Sequence, residues 1–360
     1  MKNLKRTMSL LLTLILCLGM LTACGGGKEE APKAEEPKAE EPAKEEEKTA
    51  GPQYMFKYGA AAPATGIEGE GNTEQARLIG ECTDGVIECT YYPSSQLGEK
   101  VAVMQGLQDG TIEMTTCAAP DLSSFSTMWD VISLPYLFDS GEQAVAVLND
   151  PEMKAMIDAD LAEEGFICIG WWSFGERCIL NAKRPVTKPE DLKGITVRVL
   201  STDVQIDSMN AMGASALNLA WGEVYSALQT GAVDGVDNSI PVLTGDSMHE
   251  VAKYLSLTQE FITPNPILVS KKVFDSLSPE LQAGILEAGA TMADKWNNEI
   301  WAGAVEEQTQ VMIDAGVEIT EVDKDAFKAA VQPVVDKFIA GADAEQQAFY
   351  ELLVKVREKY

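Results

Sequence analysis

The sequence predicts an α/β protein built as two lobes, and three observations carry that expectation. Strand-like and helix-like segments alternate through its first third, which is the pattern of a parallel sheet covered by helices. Roughly 310 residues remain after a polar N-terminal region, more than one small core usually holds. Finally, Tyr254 to Ser270 is a long extended run of Leu, Thr, Phe, Ile and Val, long enough to pass from one lobe to the other.

The first segment concerns destination. Lys2, Lys5 and Arg6 precede an apolar run from Leu10 to Leu18, followed by Leu21-Thr22-Ala23-Cys24. The run falls short of the roughly 20 residues that cross a bilayer, so it reads as an export signal over 1–23. The small residues ahead of Cys24 resemble the lipobox of bacterial lipoproteins, which implies acylation of the Cys24 thiol and anchoring to the bilayer. From Gly25 to about Gly51 the chain is Glu, Lys, Ala and Pro with almost no apolar side chain, and Pro32, Pro37 and Pro42 interrupt any helix. Residues 24–52 are therefore expected to be a lipidated cysteine and a disordered tether whose task is reach.

Within the folded part, Tyr54-Met55-Phe56-Lys57-Tyr58 reads as a strand, followed by a small-residue loop from Gly66 to Asn72 and a helix from about Thr73 to Cys82. Val86 to Tyr92, Ile112 to Cys117 and Phe166 to Trp172 read as strands. Gly98 to Gln108, Glu142 to Asn149 and Glu152 to Glu164 read as helices. Arg177 to Asn181 is extended, and Ile195-Thr196-Val197-Arg198-Val199 alternates so that Thr196 and Arg198 share one face. Helices are expected over Asp203 to Met212 and Glu223 to Thr230, the second closed by Gly231 and followed by a short strand and turn at Ala232 to Gly235. Ser278-Pro279-Glu280 caps a long amphipathic helix, and the remaining chain is mostly helical.

Composition excludes several functions. A net charge of -28 argues against nucleic acid, whose binding needs clustered Lys and Arg. The folded part holds Cys82, Cys89, Cys117, Cys168 and Cys178 with no paired metal-ligand spacing. Small buried thiols, or a disulfide such as Cys82 to Cys89 or Cys168 to Cys178, are the alternatives, and a zinc site is not expected. The single histidine, His249, reads as a surface residue, and no nucleophile elbow, zinc-protease motif or phosphate loop is present, so an enzyme is not expected.

Against that acidic background few arginines follow the signal, which makes their placement informative. Arg198 lies near the end of a short strand whose partners Ile195, Val197 and Val199 face the core, and open α/β sheets bind ligands beyond their strand ends. Its planar fork suits a carboxylate, as does that of Arg177, which follows Gly175-Glu176. An ordinary surface ion pair is the alternative for each.

Several motifs then coincide: Lys193-Gly194 leading into Arg198, Met212-Gly213-Ala214, Glu223-Val224-Tyr225-Ser226-Ala227-Leu228-Gln229-Thr230-Gly231, and Val233-Asp234-Gly235-Val236-Asp237-Asn238. With Gln96-Leu97-Gly98, Gly110-Thr111-Ile112-Glu113-Met114 and Leu134-Pro135-Tyr136-Leu137-Phe138, the chain resembles the solute-binding subunits of tripartite ATP-independent periplasmic (TRAP) transporters, the DctP-type family, over nearly its whole folded length. The resemblance implies a periplasmic-binding-protein-like fold with a ligand cleft between two lobes, crossing strands and long C-terminal helices. It divides the chain into lobe I, 53–175 plus 264–303, and lobe II, 176–263 plus 304–360.

The same resemblance assigns Arg198 to the ligand carboxylate, Arg177 to a second carboxylate contact, Asn238 to orienting the ligand and Trp221 to lining the pocket. Asp237 stands where Glu is common and Ser239 where Pro is common. Glu68, in the first loop, is the acid placed to meet a hydroxyl or ammonium. The implied partners are a small organic carboxylate (a dicarboxylate or sugar acid), the integral membrane TRAP permease and the lipid bilayer, with no cofactor. A binding subunit of an ATP-driven importer or a ligand-presenting protein for a sensor kinase is the alternative.

Overall fold

The computed structural model describes residues 51–360, so the export signal, Cys24 and nearly all of the expected tether lie outside the described residues. Eleven strands form two sheets: β1 (Tyr54–Gly59), β2 (Ile87–Tyr92), β3 (Met114–Thr116), β4 (Phe166–Trp172), β5 (Cys178–Asn181), β6 (Thr196–Val199), β7 (Ser215–Asn218), β8 (Gly235–Asn238), β9 (Tyr254–Ser256), β10 (Asn265–Ser270) and β11 (Glu318–Thr320). The first sheet has the order β2-β1-β3-β10-β4 and the second β11-β9-β5-β8-β6-β7. Parallel pairs at β1/β2, β1/β3, β6/β7 and β6/β8 confirm the expected α/β class, while β5 and β10 run antiparallel to their neighbours.

Those antiparallel strands exist because the chain changes sheet. It leaves the first sheet after β4, enters the second at β5, and returns between β9 and β10. The two crossing segments touch, through a bridge between Glu176 and Ile262 and a hydrogen bond from the Arg177 amide to the Phe261 carbonyl (2.8 Å). A helix provides a third connection. Pro279–Lys295, started by Ser278 and Pro279, packs on β4, passes through a π-helical turn at Trp296–Ile300, and continues as Trp301–Asp314 against the helix Ile240–Gly245.

Stacked rings lock the π turn beside the crossing strands. Trp296 stacks on Trp172 (centroids 4.4 Å apart) and on Phe174 (5.2 Å), and its Nε1 donates to the Ser173 carbonyl (2.7 Å). Asn297 completes the tie, donating to the Trp171 carbonyl and accepting from the Ser173 amide.

Several expectations are corrected. The helix expected from Thr73 begins at Gly66, because Gly69 and Gly71 are close-packing residues rather than loop residues. A Cβ on Gly69 would lie 2.1 Å from the Pro63 carbonyl oxygen, and one on Gly71 would lie 2.4 Å from the Trp296 ring. Ala232 to Asp234 is a bend, and the strand is Gly235–Asn238; the short strand Ser215–Asn218 was not anticipated. The run from Tyr254 to Ser270 is two strands separated by the crossing segment. All five cysteines of the folded part are free thiols, so neither suggested disulfide forms. His249 is half-buried in a single-turn helix rather than on the open surface. The last helix, Ala344–Arg357, packs against Gly141–Asn149 and Pro151–Glu163 on the first sheet's side, although the sequence groups it with the second lobe.

The close approach at Gly71 is testable by chemical denaturation. Gly71→Ala should lose about 1–3 kcal/mol through overpacking on Trp296 despite its better helix propensity. Gly303→Ala, in an exposed helical position with nothing within 4 Å, should be neutral or gain up to about 1 kcal/mol.

Candidate functional site

The two sheets face one another with their strand ends at a common cleft. Arg198 on β6 and Asn238 at the end of β8 approach from the second sheet, together with Arg177 just ahead of β5, which the pairing of Cys178 with Asn238 sets beside β8. From the first sheet come Thr116 at the end of β3, Asn265 at the start of β10 and Glu68 in the first turn of Gly66–Cys82. All five binding residues singled out by sequence, Glu68, Arg177, Arg198, Trp221 and Asn238, line this one cavity. A wider groove over Ser201, Asp203, Asp207 and Lys337 contains none of them.

Arg198 is 3% exposed, and its Nε donates to the Leu219 carbonyl (2.9 Å). The Trp221 ring covers the guanidinium at 5.2 Å, and the indole is itself held by a bond from Nε1 to Asp246 Oδ2 (2.7 Å). Among the described residues no carboxylate pairs with Arg198 and no acceptor meets its two terminal nitrogens. Burial lowers its basicity to about 10, and the nearby Asp237 carboxylate opposes that shift, so the group stays cationic at neutral pH. A charged fork is thus fixed in direction with its outer donors free.

Arg177 is held differently. Its Nε donates to Asp237 Oδ2 (2.6 Å), one terminal nitrogen to the Asp237 carbonyl (2.7 Å), and the other to Asn238 Oδ1 (3.2 Å) and the Thr263 hydroxyl (3.4 Å). Most of this fork is therefore spent inside the protein, in a buried ion pair whose carboxylate is 1% exposed. The convergence of two open forks that the sequence allows is not what the chain builds.

The polar network also orders the remaining donors and acceptors. Asn238 Oδ1 accepts from both Arg177 and the Ser239 amide (2.9 Å), which leaves its Nδ2 as the donor available to the cleft. On the opposite wall Tyr91 donates to the Ala62 carbonyl (2.8 Å), Asn72 Nδ2 donates to Tyr91 (3.3 Å), and Tyr58 donates to Asn72 Oδ1 (2.5 Å). The Tyr58 proton is thereby committed, so the Thr116 hydroxyl must donate to Tyr58 and can only accept from the cleft.

Among the described residues the Glu68 carboxyl has no hydrogen-bond partner. Burial, reinforced by the Asp246 carboxylate, raises it to about 7, with Lys100 acting in the other direction. Burial likewise pushes Asp246 up to about 6 against the stabilising bond from Trp221. Lys100 lines the cavity but is paired with the buried Asp121 (2.8 Å).

Thr116, Thr263, Asn265, Phe174 and Lys100 also line the cavity and were missed by sequence reasoning. Each is a common residue type outside any motif: Thr116, Asn265 and Lys100 stand at strand or helix ends, and Phe174 and Thr263 in the crossing segments.

The family described as bacterial extracellular solute-binding protein, family 7, matches residues 58–341. A solute-binding protein of Chromohalobacter salexigens is 33% identical over 265 residues, covering 73% of this chain and 78% of that one. Among solved structures, a TRAP periplasmic solute-binding protein from the same organism, with bound D-glucuronate, superposes with a TM-score of 0.79 at 28% identity, covering 85% of this chain and all of the other. A second, from Sulfitobacter and with bound β-D-galacturonate, gives 0.79 at 30% identity, covering 84% and 99%.

Because Asp237 is the only carboxylate paired with Arg177 among the described residues, Asp237→Ala should cost about 3–5 kcal/mol in denaturation experiments, the usual penalty for stranding a buried charge.

Proposed function

The chain belongs to the family 7 bacterial extracellular solute-binding proteins, the DctP-type subunits of TRAP transporters, and we propose that it captures a hydroxylated monocarboxylate of the sugar-acid class. The observation that carries this reading is the buried Arg198 guanidinium, whose terminal nitrogens meet no partner among the described residues. Charge counting supports a single carboxylate. Of the three cations lining the cleft, Arg177 is paired with Asp237 and Lys100 with Asp121, so only Arg198 lacks a counter-charge.

The rest of the cleft suits hydroxyls rather than a second acid. Thr116 presents only lone pairs, Asn238 presents an N–H, and Glu68 accepts when ionised and donates when protonated. A dicarboxylate, which the sequence alone leaves equally open, would bring its second charge into a cavity where Glu68 is the one unpaired acid. The relatives with bound glucuronate and galacturonate carry the ligand chemistry expected here.

Selectivity for acids follows from desolvation. A neutral ligand would leave Arg198 buried and unpaired, a penalty of roughly 2–5 kcal/mol. In this reading Trp221 and the Leu219 carbonyl aim the fork, Asn238 orients the ligand, and Arg177 offers a second, weaker contact from its Asn238-facing nitrogen. The protein carries the ligand outside the cytoplasmic membrane, anchored through Cys24, and hands it to a TRAP permease; the family match favours this partner over an ATP-driven importer or a sensor kinase.

Thermal-shift and calorimetric titration of residues 51–360 with D-glucuronate, D-galacturonate, succinate and D-glucose tests the reading. A sugar acid at a thousandfold excess over Kd should stabilise the protein by about 4 kcal/mol, with D-glucose inert. Arg198→Ala should weaken binding roughly 100-fold or more while leaving the circular dichroism spectrum intact. Equal response to D-glucose, or unchanged affinity in Arg198→Ala, would overturn it. Glu68→Gln should narrow the preference for the sugar acid over succinate.

A further inference from the structure

Behind the clamp lies a carboxyl group that the ligand reading does not use. Glu260 sits in the crossing segment between β9 and β10 and is 0% exposed, and among the described residues no donor meets its carboxyl oxygens in hydrogen-bond geometry, the Thr258 hydroxyl and the Glu260 amide lying nearby. Its backbone is held firmly on both sides. The Glu260 carbonyl accepts from the Tyr136 amide (2.8 Å), and the next residue, Phe261, accepts from the Arg177 amide (2.8 Å). The Thr258 hydroxyl, which lies beside the Glu260 carboxyl, donates to the Ser256 carbonyl (3.4 Å).

The groups facing Glu260 make ionisation there costly. Asp237 on β8 is a carboxylate whose Oδ1 is also without a partner; Arg177 leads into β5 and is already taken by Asp237. Cys178 on β5 and the Tyr136 phenol from the loop before Gly141–Asn149 are neutral, and Glu176 and Lys324 act on Cys178 with opposite signs. With Glu260 ionised, the cluster of Arg177, Asp237 and Glu260 would carry one net negative charge directly behind the nitrogen that faces the ligand. With Glu260 neutral, that charge is zero.

Resting on the reading of the cleft as a carboxylate site, we infer that Glu260 is held as the neutral carboxylic acid, a positioning residue that lets Arg177 face an anion and confines tight capture to pH values at which that proton is retained. Burial is the main cause and the Asp237 carboxylate adds to it; against the opposing pull of the Thr258 hydroxyl, the Glu260 amide and Arg177 they raise Glu260 to about 8. The sign follows directly. A carboxyl raised in the folded state contributes stability that is complete below its unfolded value, near 4.5, and is lost as pH climbs through about 8. Anion affinity falls in the same direction above that point.

The test is calorimetric Kd for D-glucuronate at pH 6, 7, 8 and 9, and ligand-free thermal midpoints over the same range, for the wild type and Glu260→Gln. The ligand carboxylate stays ionised throughout, and Glu68 titrates in both proteins, so its contribution cancels in their ratio. Between pH 7 and 9 the wild type should lose about tenfold more affinity than the variant, and its midpoint should fall relative to the variant's. Should Glu260→Gln fail to fold, Glu260→Met, close in volume and needing no hydrogen bond, takes its place. Parallel pH slopes for wild type and variant overturn the inference alone. Absence of D-glucuronate binding to the wild type at every pH overturns the functional reading beneath it.

Discussion

The structure is organised around one unfavourable requirement: a guanidinium buried without a counter-charge among the described residues. Moving such an ion out of water costs several kcal/mol even after relaxation, and the chain supplies Arg198 with only a backbone carbonyl and an aromatic face in return. Both partners are fixed elsewhere. Leu219 lies just past β7, which pairs with the strand carrying Arg198, and Trp221 is tied to Asp246. The deficit is thus concentrated on two terminal nitrogens at the mouth of a sheet, where a ligand can relieve it. A site organised before its ligand arrives spends little on ordering side chains during binding.

The same economy explains why Arg177 is treated so differently. Two unpaired guanidinium groups in one small cavity would repel each other and double the desolvation cost, and Arg177 does lower the basicity of Arg198. Asp237 neutralises Arg177 and, through the neighbouring Asn238, converts it into part of a frame that turns an amide N–H toward the cleft. That frame stands where the two crossing segments touch, a few residues from the Trp172, Phe174 and Trp296 stack and the π turn. The widened helical turn lets Trp296 and Asn297 both reach the backbone around Ser173, so all three connections between the sheets are fastened near one point. Any rearrangement of the sheets involves these few residues, adjacent to Arg177, and the link ahead of Ala344–Arg357, which returns the chain to the first sheet's side.

How much of this was legible in the sequence depended on whether local pattern and global packing agreed. Phe166 to Trp172 matches its strand residue for residue, and Ser278 with Pro279 marks the long helix, because capping and periodicity are local facts. Gly66 to Asn72 misled for the opposite reason. Glycine weakens a helix locally, and only the approach of Pro63 and Trp296 shows why Gly69 and Gly71 stand in its first two turns. Arg198 was legible from its place near a strand end, and Asn238 and Trp221 through the family resemblance carried by the motifs around them. Thr116 and Asn265 were not, since their value lies in which wall of the cleft the topology gives them. Nor could sequence foresee that Asp237, a one-carbon-shorter acid than the usual Glu, takes up most of the Arg177 fork.

The net charge of -28 does not stand against the anion site proposed above. Exposed charges are screened beyond about 8 Å at physiological ionic strength, whereas Arg198 acts from inside a low-dielectric cleft at contact distance. The acidic surface therefore bears on encounter and solubility, and the interior sets affinity. Within that interior the sum is narrow. Lys100 is matched by Asp121 and Arg177 by Asp237, so a single protonation event on an unpaired acid, Glu68 at the front of the cleft or Glu260 behind it, changes the charge met by an incoming carboxylate as much as adding or removing an arginine would. A cavity balanced this closely discriminates by counting charges, and shape needs only to separate ligands that already carry the right number.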